Sequence, residues 1–209
     1  MSDAWPVIRA ALRDTWSDLL TTAVVNLLWL VLTVLIVTAP PAALALFYSG
    51  NRIAHGEPAD PGDFLRAVRR YFGVGWRWGL VNGALFLILV GDAILTGRLS
   101  QSSGARLAQG LYLAGLGVWL LLQLYVLPFL FEQESPSLRL ALRNGAVMMG
   151  ANIRFSAALG ILASILLLAG MALFLVTLAA GGVFLALVGN HAVLDRLATH
   201  RAAQKRPEL

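Results

Sequence analysis

The sequence predicts an all-α polytopic membrane helix bundle, and three observations predict it. Of 209 residues, 58% are hydrophobic and only 13% charged, with mean hydropathy +0.75. A soluble domain carries about 25% charged residues, so this chain lacks the polar surface to cover a water-facing globule. Long apolar runs recur between short polar loops, and arginine-rich amphipathic segments lie in several of those loops. Together these give five to six membrane segments, the first two a proline-turned hairpin, with short interfacial helices on the cytoplasmic side. One membrane domain covers 1–209: an amphipathic interfacial helix over 1–18, the bundle over 19–194 and a cytoplasmic tail over 195–209.

In the first segment Trp5, Ile8, Leu12, Trp16 and Leu19 recur at spacings of three and four, while Asp3, Arg9, Arg13, Asp14 and Asp18 fall elsewhere on the wheel. That stripe suits either the headgroup layer or a protein surface. The start has no charged region followed by an apolar core and a small-residue cleavage site, so no cleaved signal peptide is expected. The next apolar run, Leu19 to Tyr48, would be about 45 Å long as one straight helix, against a hydrocarbon core of about 30 Å. Pro40 and Pro41 interrupt it, and each disfavours helical geometry in the residue before it. One helix is expected near 19–38 and a short one near 41–54, with the turn at the prolines. The second limb is only about 21 Å, which also suits a re-entrant segment shielded by its neighbours.

"DPGDFLRAVRRYF" follows, with Asp60 as cap, Pro61 in the first turn and Asp63 at the positive end of the helix dipole. Phe64, Leu65, Val68, Tyr71 and Phe72 form its apolar side; Arg66, Arg69 and Arg70 are its lipid or partner contacts. A span is expected near 75–96, a small loop at "RLSQSSGAR", and a third apolar segment from Leu107 to Phe131. Ser135-Pro136 opens another short helix that Gly145 is placed to close. Spans near 154–176 and 179–194 precede a tail carrying Arg196, Arg201, Lys205 and Arg206. "SPSLRLALRN" echoes "DPGDFLRAVRR" about seventy-five residues later; either a parallel repeat or the common needs of a short helix before a span explains the likeness.

Lys and Arg counts in short loops set orientation. If 19–54 crosses once, the counts are 12 against 4; if it turns back at Pro40-Pro41, they are 14 against 2. The hairpin is preferred. It puts the prolines on the extracytoplasmic side and both termini in the cytoplasm, against anionic headgroups.

"NLLWLVLTVLIVTAPPAALALFYSGNRIAHGE" resembles the YesL-like family of small bacterial membrane proteins, DUF624. The family pattern is carried by Asn26 to Trp29, Pro40-Pro41, Phe47-Tyr48, Arg52 and Gly56-Glu57; this chain has Ala39-Pro40-Pro41 where the pattern has Gly-Pro. "DFLRAVRRYF" and "LRNGAVMMGANIRFS" resemble later family segments. The resemblance implies the bacterial cytoplasmic membrane and a companion role beside sugar-uptake ABC transporters and carbohydrate-utilisation regulators. It implies no biochemical activity.

The residues themselves argue against an enzyme. The absence of cysteine excludes disulfides and a thiol nucleophile. No Ser, His and acid arrangement is readable, and Gly73, Gly75 and Gly79 do not form a phosphate-cradling loop. His191 and Asp195 share a helix face, but a metal needs a third ligand; they are expected as a surface-facing pair, with His55 and His200 isolated. No cofactor, metal or nucleic acid is expected. Asp92 and Arg77 lie near span ends and can reach headgroups. Asn26, Asn82, Gln123 and Asn190 are the uncharged polar residues at depth, suited to interhelical hydrogen bonds or to lining a solute path. Gly75, Gly79 and Gly83 form a small face on one helix, for packing within the bundle or on a transporter subunit or second copy. The expected function is a non-enzymatic accessory of a bacterial carbohydrate uptake or sensing system; the alternative is a small uncoupled channel or transporter.

Overall fold

The computed structural model describes the backbone of residues 4–172 and 174–204, and side chains there except over 171–179. Asp3, Lys205 and Arg206, assigned above to the first helix and the tail, lie outside the described residues. Every element among the described residues is a helix: α1 (Ala4–Ser17), α2 (Leu19–Val34), α3 (Ala39–Ala54), α4 (Pro61–Arg70), α5 (Phe72–Leu99), α6 (Ser103–Phe131), α7 (Leu138–Ala151), α8 (Ile153–Ala172) and α9 (Phe174–Gln204). Three of them, α5, α6 and α8, are long and apolar enough to cross a membrane; α1 and α2 make a fourth if counted as one span bent by 95°. Of the five to six segments expected, α2 and α3 are too short to be full spans. Each has 16 residues, about 24 Å.

The break between α2 and α3 is not at the prolines. It falls at residues 35–38, where Ile36 has φ +54°, a strained value for a β-branched residue. Pro40 and Pro41 sit in the first turn of α3, where a missing N–H costs nothing because those donors have no helical acceptor anyway. The first α-helical bond, Ala42 N–H to Thr38 O at 2.9 Å, comes just after them. Trp76 of α5 fastens the turn by donating to Val37 O at 3.0 Å.

Helices α2 and α3 do form a hairpin: Thr21 and Thr22 of one line the same pocket as Ile53 and Ala54 of the other. Its tip does not reach the far end of the bundle. The contacts of the tip on α5 are Gly75, Trp76 and Gly79, and Gly79 lies about 30 Å along that helix from Leu99. The tip expected at the extracytoplasmic surface thus meets the first turns of α5, with Val34, Leu35, Ile36 and Val37 exposed on it.

Long helix α9 is the centre, packed by α1, α2, α3, α6 and α8. Its buried face includes Val183, Ala186, Leu187, Val188 and Asn190. It starts at Phe174, so the break expected between 176 and 179 is helical; "LVTLAA" contains no breaker. Helix α7 runs through Gly145 rather than closing there, because that glycine lets α7 approach α6: a Cβ on it would lie 3.3 Å from Val126 N. Helix α1 divides its stripe. Ile8 is buried with Ala4, Val7, Ala11 and Thr15, whereas Trp5 and Trp16 are 52% and 54% exposed.

Candidate functional site

The residues with polar chemistry gather at one end of the bundle and in the seam between α5 and α6. At the end of α3, Gly56 takes φ +78°, a conformation open to glycine at little cost. This lets Gly56 N–H reach Ile53 O and Glu57 N–H reach Arg52 O, both at 2.9 Å, closing the helix. The reversal brings Glu57 back to Arg52, whose Nε donates to Glu57 Oε2 at 3.0 Å. Arg52 also pairs with Asp63 of α4, and Asp63 pairs with Arg66. Hydrogen bonds from Arg66 and then Arg52 hold the Asp63 carboxyl below its ordinary pKa. Beneath this clasp Phe64, Ala67 and Val68 are buried, and the rings of Tyr48, Tyr71 and Phe131 lie 5.3 to 5.7 Å apart. Burial raises the Tyr71 phenol pKa. Leu65 and Phe72, expected on this apolar side, face outward instead.

A second cluster ties α3, α6 and α9. Asn51 Nδ2 donates to Glu132 Oε1 at 2.7 Å and to Asn190 Oδ1 at 3.0 Å. Asn190 Nδ2 donates to Phe47 O and Ala186 O, and His55 Nε2 lies 3.5 Å from Glu132. Farther into the bundle, Asn26 Oδ1 accepts from the backbone N–H groups of Gly182 and Val183 at 2.9 and 3.2 Å. Trp29 lies on the same glycine: a Cβ at Gly182 would sit 2.8 Å from its ring.

Two tryptophan–amide pairs lock α5 to α6. Trp78 Nε1 donates to Gln123 Oε1 and Trp119 Nε1 to Asn82 Oδ1, both at 2.9 Å. Each amide then turns its NH2 back on the carbonyl of the tryptophan four residues before it on its own helix: Asn82 to Trp78 O and Gln123 to Trp119 O. Each helix supplies one tryptophan and one amide four residues apart, so the pairs cross reciprocally.

Residues 22–93 match the family model described as "Protein of unknown function, DUF624". The match is confined to that stretch. No curated protein and no solved structure matches the chain. The matched stretch covers α2 to α5 almost entirely, and the residues that carry the resemblance are fasteners. Asn26 and Trp29 grip α9, Phe47 lies beside Gly189, Tyr48 joins the ring cluster, and Arg52 with Gly56-Glu57 closes α3 onto α4.

The sequence-predicted site residues thus separate. Gly75 and Gly79 meet the proline pair: a Cβ would lie 2.6 Å from Pro41 Cα at Gly75 and 2.7 Å from Pro40 Cβ at Gly79. Gly83, expected on the same packed face, has nothing within 4 Å. Of the three arginines of α4, Arg66 is held by Asp63, while Arg69 and Arg70 are exposed. His191 does not pair with Asp195; its Nε2 lies 2.8 Å from Asp14 Oδ2 of α1, while Asp195 takes Arg196. The error came from judging the pair on one helix when α1 folds across it.

Sequence reasoning missed the small face of α9. A Cβ at Gly189 would lie 2.6 Å from Leu124 O, and one at Gly50 would lie 2.9 Å from Ala186 Cβ. It also missed "WGLVN" and "WLLLQ", which spell the crossed pairs. Chemically, the arrangement fastens helices. Among the described residues no group of three or more His, Asp or Glu could hold a metal.

One large concavity remains, a groove of about 1190 Å³ between the α5–α6 pair and α8. Helices α6 and α8 meet at Tyr125 and Ser156, whose hydroxyls lie 2.7 Å apart, and at Leu121 and Gly160. Beyond these the groove opens. Trp29, Trp78, Asn82, Trp119 and Gln123 lie in its lining, and no charged residue does.

Proposed function

We propose that the protein is a non-enzymatic accessory of a bacterial carbohydrate uptake or sensing system. It sits in the cytoplasmic membrane with both termini in the cytoplasm. One observation carries the non-conducting part of this reading: the amides at depth are spent on helix-to-helix bonds. Asn82 and Gln123 face tryptophan N–H groups, and Asn190 faces Asn51 and backbone carbonyls. A solute path needs polar groups open to the solute. The count of 14 basic residues against 2 supports the orientation. The carbohydrate link follows from the family resemblance alone.

Purified protein in liposomes and affinity-tagged protein in native membranes test the reading. Co-purification with permease subunits and no sugar or ion flux from the protein alone are expected. Flux from the protein alone would establish the channel or transporter instead.

A further inference from the structure

Three short helices gather at one end of the bundle. Helix α4 joins the end of α3 to the start of α5, and α7 joins the end of α6 to the start of α8. The ends of α3 and α6 meet through Asn51, His55 and Glu132. Helix α1 closes on the same end, where Arg13, Asp14 and Ser17 share a pocket with Ile53 and Glu57. Each short helix buries one side and exposes another of the same make. Trp5, Arg9 and Trp16 are exposed on α1, and Leu140, Arg143 and Val147 on α7. Leu65 and Arg69 are exposed on α4, with Phe72 just beyond at the head of α5. Helical spacing puts each set along one face. The acids of these helices are engaged elsewhere: Asp14 lies on His191 and Arg13, Asp63 lies on Arg52 and Arg66, and α7 has none.

We infer that these three faces form one rim that binds anionic lipid headgroups. Arginine beside exposed aromatic or aliphatic side chains suits that layer, because the guanidinium reaches phosphate while its neighbours enter the top of the acyl region. Position decides between lipid and a soluble partner. Exposed apolar side chains follow each face on the next helix: Leu20, Val24 and Val31 on α2, Leu80 on α5 and Ile153 on α8. The 95° bend also lays α1 across the direction of α2. The rim therefore lies at the level where the lipid-facing surface starts. The basic residues put that end on the cytoplasmic side, whose anionic leaflet attracts Lys and Arg. The inference goes beyond the accessory reading and does not depend on it.

The test uses the protein alone, reconstituted in vesicles of phosphatidylglycerol and phosphatidylethanolamine. The chain has no cysteine, so nitroxides attach singly at Leu65→Cys and Val147→Cys. Collisions with oxygen should outweigh those with a water-soluble nickel chelate at both sites, as expected at or below the phosphates. Spin-labelled phosphatidylglycerol should associate roughly twofold or more above spin-labelled phosphatidylcholine. That ratio should fall toward unity in the triple variant Arg9→Gln, Arg69→Gln, Arg143→Gln, and in the unaltered protein at about 1 M salt. Nickel collisions that dominate at either site leave that face in water, open to a protein partner, and overturn the rim. A phosphatidylglycerol preference that survives both the triple variant and salt overturns it too. So does an equal loss on changing Arg98 and Arg106 to Gln, since those lie at the opposite end, around the α5–α6 connection.

Discussion

Gly79 lies against the ring of Pro40, with 2.7 Å between Pro40 Cγ and the point where a Cβ on Gly79 would be. The proline pair and the glycine face are therefore two halves of one contact, made where the α2–α3 tip meets α5. Gly75 completes it against the backbone of Pro41, which cannot yield as a flexible side chain would. Gly75→Ala and Gly79→Leu should each lower the melting temperature in detergent clearly, by overpacking worth about 1 to 3 kcal/mol. Gly83→Ala should be neutral or stabilising, since it gains up to ~1 kcal/mol of helix propensity in open space. Leu87→Ala, on an exposed side chain, should matter little. Equal responses at Gly79 and Gly83 would remove the contact from the account.

The crossed pairs between α5 and α6 make a contrast among three tryptophans. Trp78→Phe removes the donor to Gln123, and Trp119→Phe removes the donor to Asn82. Each leaves an amide oxygen, that of buried Gln123 or half-buried Asn82, without its partner, at about 1 to 3 kcal/mol. Trp29 is different: its Nε1 is buried with no hydrogen-bond partner among the described residues. Trp29→Phe gives up ring contact with Gly182 but removes an unsatisfied donor, so its net cost should stay below about 1 kcal/mol. Thermal melts of the three variants decide; a Trp29→Phe loss as large as the other two would show that its N–H is bonded.

The α2–α3 tip should be inside the bilayer. The chain has no cysteine, so single cysteines report cleanly. Ser100→Cys, in the connection between α5 and α6, should react in intact cells with a membrane-impermeant thiol reagent. Ile36→Cys, at the tip, should not, because the tip meets α5 about 30 Å from the Leu99 end. Labelling of both would return the turn to the extracytoplasmic surface.

Composition and periodicity made the helical membrane class legible, and cap chemistry located α4 through Asp60 and Pro61. The hairpin was legible from charge counts. Its depth was not, because proline says where a helix cannot continue and is silent on which neighbour it will meet. Trp76 and the α5 glycines, some forty residues away, set that depth. The polar residues at depth were found, yet their partners were not: Asn26 bonds across more than 150 residues to α9. His191 was misread for the same reason, since α1 covers it from the opposite end of the chain. "WGLVN" and "WLLLQ" were readable, each a tryptophan and an amide at helical spacing, but only as a pair do they indicate a crossed bond.

The clasp between α3 and α4 should open in acid. Asp63 joins Arg52 and Arg66, and their hydrogen bonds hold its folded-state pKa below the unfolded value, about 3.9. A depressed carboxylate stabilises fully above the unfolded value, and that contribution fades as pH falls through it toward the folded one. The clasp is therefore intact at pH 7 and weakens below about pH 4. In reconstituted vesicles, amide exchange in residues 61–70, corrected for the intrinsic pH dependence, should rise between pH 5 and pH 3. Asp63→Asn should show the faster exchange at pH 7 already and lose most of the further response to acid. Arg69→Gln, at an exposed arginine outside the clasp, should leave the exchange profile as it is. An Asp63→Asn protein with unaltered protection at pH 7 would mean that buried Phe64 and Val68 hold α4 without the ion pairs.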